Sequence, residues 1–289
     1  MTKIALGTVQ FGMKYGISNE TGQVSRNEIK SILSFARSNA IDTIDTAIAY
    51  GNSESRLGES DLNGFKLVTK LPAFPEECAD VGCWLEQEFQ ASLMRLNMSS
   101  IYGLLLHRPD QLLGRHGNSL AKALENLKTR GLVEKIGISV YSPVELDILM
   151  GTCRIDLVQA PFNLIDRRIY SSGWLQKLYD RGVEVHTRSA FLQGLMLMPF
   201  DEIPEKFKHW WPLFDNWHCW LRDNNISAAK ACIDFVQSYQ QISKVVVGVT
   251  NLQQLEELIQ MNKKPLDVNW PSIECLDEGL INPSTWVSP

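Results

Sequence analysis

The sequence has no run of 18 apolar residues, so it offers no segment able to cross a membrane as a helix. It shows no leader either. Met1 leads straight into Lys3 and an apolar strand pattern, which reads as a cytoplasmic start. Basic residues are not in excess: 28 Lys and Arg stand against 33 Asp and Glu, a net charge of −5 with no basic run. A nucleic-acid surface is therefore not expected. The six cysteines are dispersed and form no Cys-x-x-Cys. Without a secretion signal they read as free thiols rather than a disulfide framework. Zinc-type spacing is missing as well. His209 and His218 near Cys219 make an incomplete ligand set, so no metal is expected. No Gly-x-Gly-x-x-Gly follows an early strand, which counts against a dinucleotide-binding Rossmann domain.

What is present is a hydrophobic content of 44%, enough for a sizeable core, in a chain of 289 residues. That length suits one α/β barrel or two small domains. Strand-like and helix-like runs alternate. The strand candidates are Lys3–Thr8, Ile41–Asp45, Phe65–Lys70, Ile101–Leu106, Glu134–Ser139, Ile155–Gln159, Val183–Thr187 and Lys244–Val247. Between them lie helical patterns. Ser25 and Glu28 form a capping box before Ile29, Ile32, Leu33 and Ala36. Asn52 and Ser53 cap a short helix through Gly58, with Glu54 in its first turn. Further helices run over Asp80–Leu96, Asn118–Thr129, from Ser142-Pro143, over Ser172–Asp180, over Ile226–Tyr239 with Ser227 as cap, and over Asn251–Met261. Eight β-then-α units predict a single (β/α)8 barrel domain over residues 1–289, its site at the carboxyl ends of the strands. A doubly wound sheet is the alternative. Two stretches stand outside the repeat: an aromatic-rich loop at about 199–223 and a tail at about 264–289.

Chemistry-bearing residues fall where strands end. Asp45 closes the second strand, and Tyr50 follows five residues on, just before Gly51. Lys70 ends the third strand and His107 the fourth. Singly, each has a bland reading as turn former, loop aromatic, solvated lysine or satisfied histidine. Together, Asp45, Tyr50, Lys70 and His107 resemble the tetrad of the aldo-keto reductases. Ala5-Leu6-Gly7-Thr8-Val9-Gln10-Phe11-Gly12, the Asp45–Glu54 segment and Val158-Gln159-Ala160-Pro161-Phe162-Asn163-Leu164 resemble motifs of that superfamily too.

The resemblance implies hydride transfer from an extended nicotinamide to an aldehyde or ketone. Tyr50 would be the general acid, Lys70 the ammonium that stabilises the phenolate, Asp45 the partner of Lys70, and His107 the donor that orients the carbonyl. It places Ser139 and Gln159 on the carboxamide, with Val140 where an Asn is usual and Asn163 near enough to compensate. Arg188, Ser189, Phe191, Gln193 and Gly194 match the cofactor segment after strand seven. There Arg188 replaces an aromatic that stacks on the nicotinamide, or points to a substrate acid or phosphate. Gly248, Thr250, Asn251, Gln254 and Glu257 match the final cofactor segment, Asn251 capping a helix whose amino end is an anion site. The family favours NADP(H). The uncharged Gly248, Thr250 and Gln254 make NAD(H) a serious competitor. Phe11, Trp210 and Trp211 are candidate substrate contacts, and the Trp-rich loop and the tail either shape the pocket or cover barrel surface. The expected partner is a small carbonyl compound, a sugar-like one among the candidates. A slow-turnover redox sensor or partner-binding protein, and a Schiff-base lyase using Lys70, are the rivals. Substrate, preferred direction and oligomeric state are not legible.

Overall fold

Parallel strands buried on both faces need helices outside and side chains inside. In the computed structural model, which describes residues 2–75, 77–261 and 264–286, the strands are β1 (Ile4–Gly7), β2 (Thr43–Asp45), β3 (Lys66–Leu71), β4 (Ile101–Leu106), β5 (Val133–Ser139), β6 (Leu157–Pro161), β7 (Glu184–Arg188) and β8 (Lys244–Gly248). They pair in sequence order, all parallel, and β8 returns to β1. The barrel is closed. The doubly wound alternative is excluded, because an open sheet would leave β1 and β8 unpaired.

The helices follow in order: α1 (Val9–Gly12), α2 (Arg26–Ser38), α3 (Ser53–Gly58), α4 (Val81–Leu96), α5 (Gly117–Thr129), α6 (Pro143–Leu149), α7 (Arg168–Ser171), α8 (Trp174–Asp180), α9 (Trp211–Asn224), α10 (Ala228–Gln237), α11 (Leu252–Met261) and α12 (Glu278–Ile281). Their apolar stripes bury against the outer barrel face, as Ile29, Ile32, Leu33 and Ala36 do in α2. Val68, Leu105 and Leu157 form a second cluster with Tyr102 packed against it. Toward the carboxyl ends of the strands lie the buried polar side chains of Asp45, Lys70, Ser139 and Gln159.

Several local expectations change. Ser25 Oγ accepts the Glu28 N–H at 3.3 Å, but the Glu28 carboxylate does not return to Ser25; it reaches across to the Leu252 N–H. The reciprocal capping box appears instead at Ser142 and Glu145. The Ser172–Asp180 helix begins earlier and is split into α7 and α8 by Gly173, whose φ is +77°. The aromatic-rich loop is largely helix: Phe214, Trp217 and Leu221 recur at helical spacing along α9 and are buried, and Pro212 sits in its first turn. In the tail, α12 forms; residues 287–289 lie outside the described residues. Among the described residues no helix is long and apolar enough to cross a membrane, and no group of three metal-ligating side chains occurs.

Candidate active site

Register places the tetrad. β1 pairs with β2 and β2 with β3 so that Gly7 faces Asp45 and Asp45 faces Val68. Lys70, two residues beyond Val68, points the same way into the barrel mouth. Its Nζ donates to Asp45 Oδ1 at 2.6 Å and to the Thr46 carbonyl at 2.9 Å. Lys70 has no exposed surface and Asp45 only 3%. Burial alone would push the ammonium down, but the Asp45 carboxylate and Tyr50 outweigh it and hold Lys70 above the ordinary lysine range. The Lys70 Nζ lies 5.0 Å from the Tyr50 ring centroid. His107 meets the same ring edge-on at 5.9 Å. Burial, then the Lys70 and Arg188 charges, lower the His107 imidazole to about 4. It is therefore neutral near pH 7, with one N–H to donate.

The Tyr50 turn is held by polar groups that sequence reading undervalued. Ser53 Oγ donates to the Thr8 carbonyl at 2.9 Å and accepts from Thr46 Oγ1 at 3.1 Å. Glu54, expected only to favour a helix start, is buried. It accepts from Thr69 and Ser92 at 2.7 Å and pairs with Arg95 at 2.7 Å. It ties α3 to β3 and α4. Its sequence signal was a carboxylate between small polar residues, which does not distinguish a cap from a clamp.

Gln159 is brought to the tetrad. Its Nε2 donates to Asp45 Oδ2 at 2.7 Å, and its buried Oε1 has no hydrogen-bond partner among the described residues. Ser139 pairs with it in register at the tip of β5. Asn163 cannot stand in for the missing Asn at 140. Its Nδ2 donates to the Ser189 carbonyl at 3.0 Å, and its Oδ1 accepts from Ile165 and Asp166 at 2.8 Å. Arg188 turns over the end of β5: its Nη2 donates to the Val140 carbonyl at 3.0 Å and its guanidinium lies 4.4 Å over Tyr141. Tyr141 was not foreseen at the site.

The segment after β7 is conformationally unusual. Ser189, Leu192 and Gln193 have positive φ, as does Gly194, a combination that clusters at ligand-holding turns. Gln193 accepts the Ile17 N–H at 3.1 Å and donates to the Tyr15 hydroxyl at 3.2 Å. A Cβ at Gly194 would lie 2.0 Å from Ser18 Oγ, so the loop after β1 packs closely on this turn. Phe191 is half-buried beside it. After the neighbouring β8, Asn251 Oδ1 caps α11 through the Gln254 N–H at 2.9 Å, and Glu257 accepts from Gln253 at 2.8 Å. A Cβ at Gly248 would collide with the Gln10 amide at 2.6 Å.

The aromatic candidates divide. Phe11 is fully buried in the outer core, so its ring is packing and offers no surface to a substrate; this corrects the expectation. Trp210 packs on Phe207 and approaches Gly279 of α12, while Trp211 packs on Phe200. Among the described residues neither makes a ring contact with Tyr50 or His107. Trp217 is fully buried and donates to the Met196 carbonyl at 3.1 Å, so α9 fastens the segment after β7.

Solved structures with this architecture include the holo form of the aldo-keto reductase AKR11C1 from Bacillus halodurans. It is 19% identical, with 92% of this chain and 88% of that chain covered and a TM-score of 0.72. The glycerol dehydrogenase AKR11B4 from Gluconobacter oxydans is 20% identical, with 92% and 88% covered and a TM-score of 0.69. At such identities the likeness is one of fold. No curated protein matches the sequence. The profile of the Aldo/keto reductase family matches residues 3–270, nearly the whole sequence, and the chain belongs to that family.

Proposed function

We propose that this chain is an NAD(P)H-dependent oxidoreductase that reduces a small aldehyde or ketone to its alcohol, with Tyr50 as proton donor. The observation that carries this reading is the Lys70 ammonium, fully buried, paired with Asp45 and set against the Tyr50 ring. A phenol with a reference pKa of about 10 is a weak acid near pH 7. An ammonium beside it stabilises the phenolate left after proton transfer.

The residues fit a nicotinamide. Among the described residues Gln159 Oε1 is a buried acceptor without a partner, matching an amide N–H, and Ser139 adds a hydroxyl beside it in register. Ser139 and Gln159 would hold the carboxamide. Arg188 presents a flat guanidinium near it, and the turn of Ser189, Phe191, Gln193 and Gly194 would hold the phosphates. When bound, the nicotinamide supplies the hydride. Tyr50 gives its hydroxyl proton to the carbonyl oxygen as charge grows there. Lys70 stabilises the resulting phenolate, and neutral His107 donates to the same oxygen and orients it. Asp45 keeps Lys70 charged and in place, and Gln159 Nε2 holds Asp45.

The same observation disfavours a Schiff-base lyase, which needs an accessible, neutral amine. Six unpaired thiols suit a reducing compartment such as the cytoplasm. The barrel, α9 and the tail are read as one domain around a small carbonyl substrate.

Tyr50→Phe tests the assignment. With a panel of aldehydes, ketones and sugars, cofactor oxidation followed by absorbance should fall about 10²–10⁴-fold in kcat while cofactor binding persists. Turnover at the wild-type rate would remove Tyr50 from the acid role.

A further inference from the structure

We infer that the carbonyl this chain reduces is carried on a carboxylic acid, and that Arg188 binds the carboxylate. The inference rests on the reductase reading above and names the substrate class of the same site.

Arg188 is the last residue of β7, in register with Pro161 at the end of β6. It is partly buried. Its partners are all neutral: the Val140 carbonyl at 3.0 Å, the Ser189 hydroxyl at 3.4 Å and the Tyr141 ring at 4.4 Å. Among the described residues it forms no ion pair. Partly buried cations elsewhere in the chain, such as Arg95, Arg168 and Lys230, are met by carboxylates. A guanidinium has five N–H groups, and the bonds to Val140 and Ser189 leave three of them for a ligand.

The charge balance at the mouth points the same way. The charged groups that act on His107 are Lys70, Arg188, Asp45 and Arg108. Lys70 and Asp45 offset each other at 2.6 Å. Arg108 has Asp110 at 3.3 Å. Arg188 alone of the four lacks a counter-charge. Tyr15, which stands close enough to act on Tyr50, Tyr141 and Arg188, accepts from Gln193 at 3.2 Å and keeps its own O–H to donate.

A substrate carboxylate supplies what this cation lacks. Its two oxygens match the flat fork of a guanidinium and give charge-assisted bonds. One free cation suits one negative charge. A phosphate monoester carries about −1.5 to −2 near pH 7 and would leave part of that charge unmatched. A neutral carbonyl compound of the same size would leave the guanidinium unpaired, and a site built around a charged partner rejects the analogue that lacks it.

The test is steady-state reduction by wild type, Arg188→Gln and Arg188→Lys, read as a ratio of kcat/KM within matched pairs. Glyoxylate, succinic semialdehyde and 4-carboxybenzaldehyde are each compared with their methyl esters, and glyceraldehyde 3-phosphate with glyceraldehyde. Any effect of a variant on cofactor binding or on the folded fraction divides out of the ratio. Wild type should favour at least one acid over its ester by about tenfold or more. Arg188→Gln should bring that ratio close to one, chiefly through KM for the acid. Arg188→Lys keeps the charge without the fork and should fall between. Esters reduced as well as the acids by wild type would overturn the inference and leave the reductase reading standing. An acid preference unchanged in Arg188→Gln would overturn it as well, and so would a larger preference for the phosphate than for any acid. Reduction of none of these carbonyls, acid, ester, phosphate or sugar, would remove the reductase reading and the inference together.

Discussion

Lys70 and His107 shift in opposite directions although burial acts on both. Burial disfavours both cations. Lys70 has a carboxylate at 2.6 Å and stays charged. His107 faces Lys70 and Arg188 instead, and falls to about 4. The sign is definite: lowering the pKa keeps the imidazole neutral until the pH drops through about 4, so its proton-linked loss of function lies there and not at 6.5. The ratio of wild-type to His107→Gln kcat/KM should be flat from pH 5.5 to 8 and change only toward pH 4. A step in that ratio near pH 6.5 would contradict the assignment. The types and order of Asp45, Tyr50, Lys70 and His107 were legible because strand ends are local features. The bond from Gln159 to Asp45 was not, since it joins residues 114 apart in sequence.

The loop carrying Tyr50 is positioned by backbone on backbone. A Cβ at Gly12 would lie 1.7 Å from the Tyr50 carbonyl oxygen, and one at Gly51, where φ is +57°, 2.6 Å from the Gly12 oxygen. Only glycine lets the turn after β2 sit on α1. Gly12→Ala should therefore displace Tyr50 without touching a reacting group. It should lower kcat about tenfold or more and cost roughly 1–3 kcal/mol in denaturant unfolding. Unchanged kcat in the folded variant would show that the contact does not position Tyr50. The sequence contained Gly12 and Gly51, but nothing local said they would touch. Helix α9 shows the same limit. Its density of Trp and Phe fitted a pocket wall or a cover for barrel surface equally well. Trp217 instead packs in the core and holds the Met196 carbonyl.

Across the whole barrel, polarity is segregated along the axis. The base carries Tyr102, Lys135 and His186 on Glu184, and Lys244 on Asp42. Burial would raise the Glu184 carboxyl, but hydrogen bonds from His186, Lys135 and Tyr102 outweigh it and hold it well below the usual carboxylate range. A carboxylate depressed on folding contributes stability above its unfolded pKa and loses it as the pH falls. Thermal unfolding of wild type should therefore weaken steadily below about pH 4.5. Glu184→Gln should start less stable at pH 7 and show a shallower acid decline. Parallel declines would show that another group governs acid stability.

The sequence by itself determined the alternation of strands and helices and put Asp45, Lys70 and His107 at strand ends with Tyr50 in the following turn, because alternation and strand ends follow from local periodicity and turn chemistry. Closure of β8 on β1 and the seat of α9 came only with tertiary structure. So did the burial of Phe11, the bond from Asn163 to the Ser189 carbonyl, and the reach of Glu28 to α11. Each of these depends on which distant segment arrives at a given surface, and that is settled by packing a whole barrel at once. The Glu28 carboxylate had a good local partner in the Ser25 backbone, yet the Leu252 N–H at the amino end of α11, more than two hundred residues away, holds it instead.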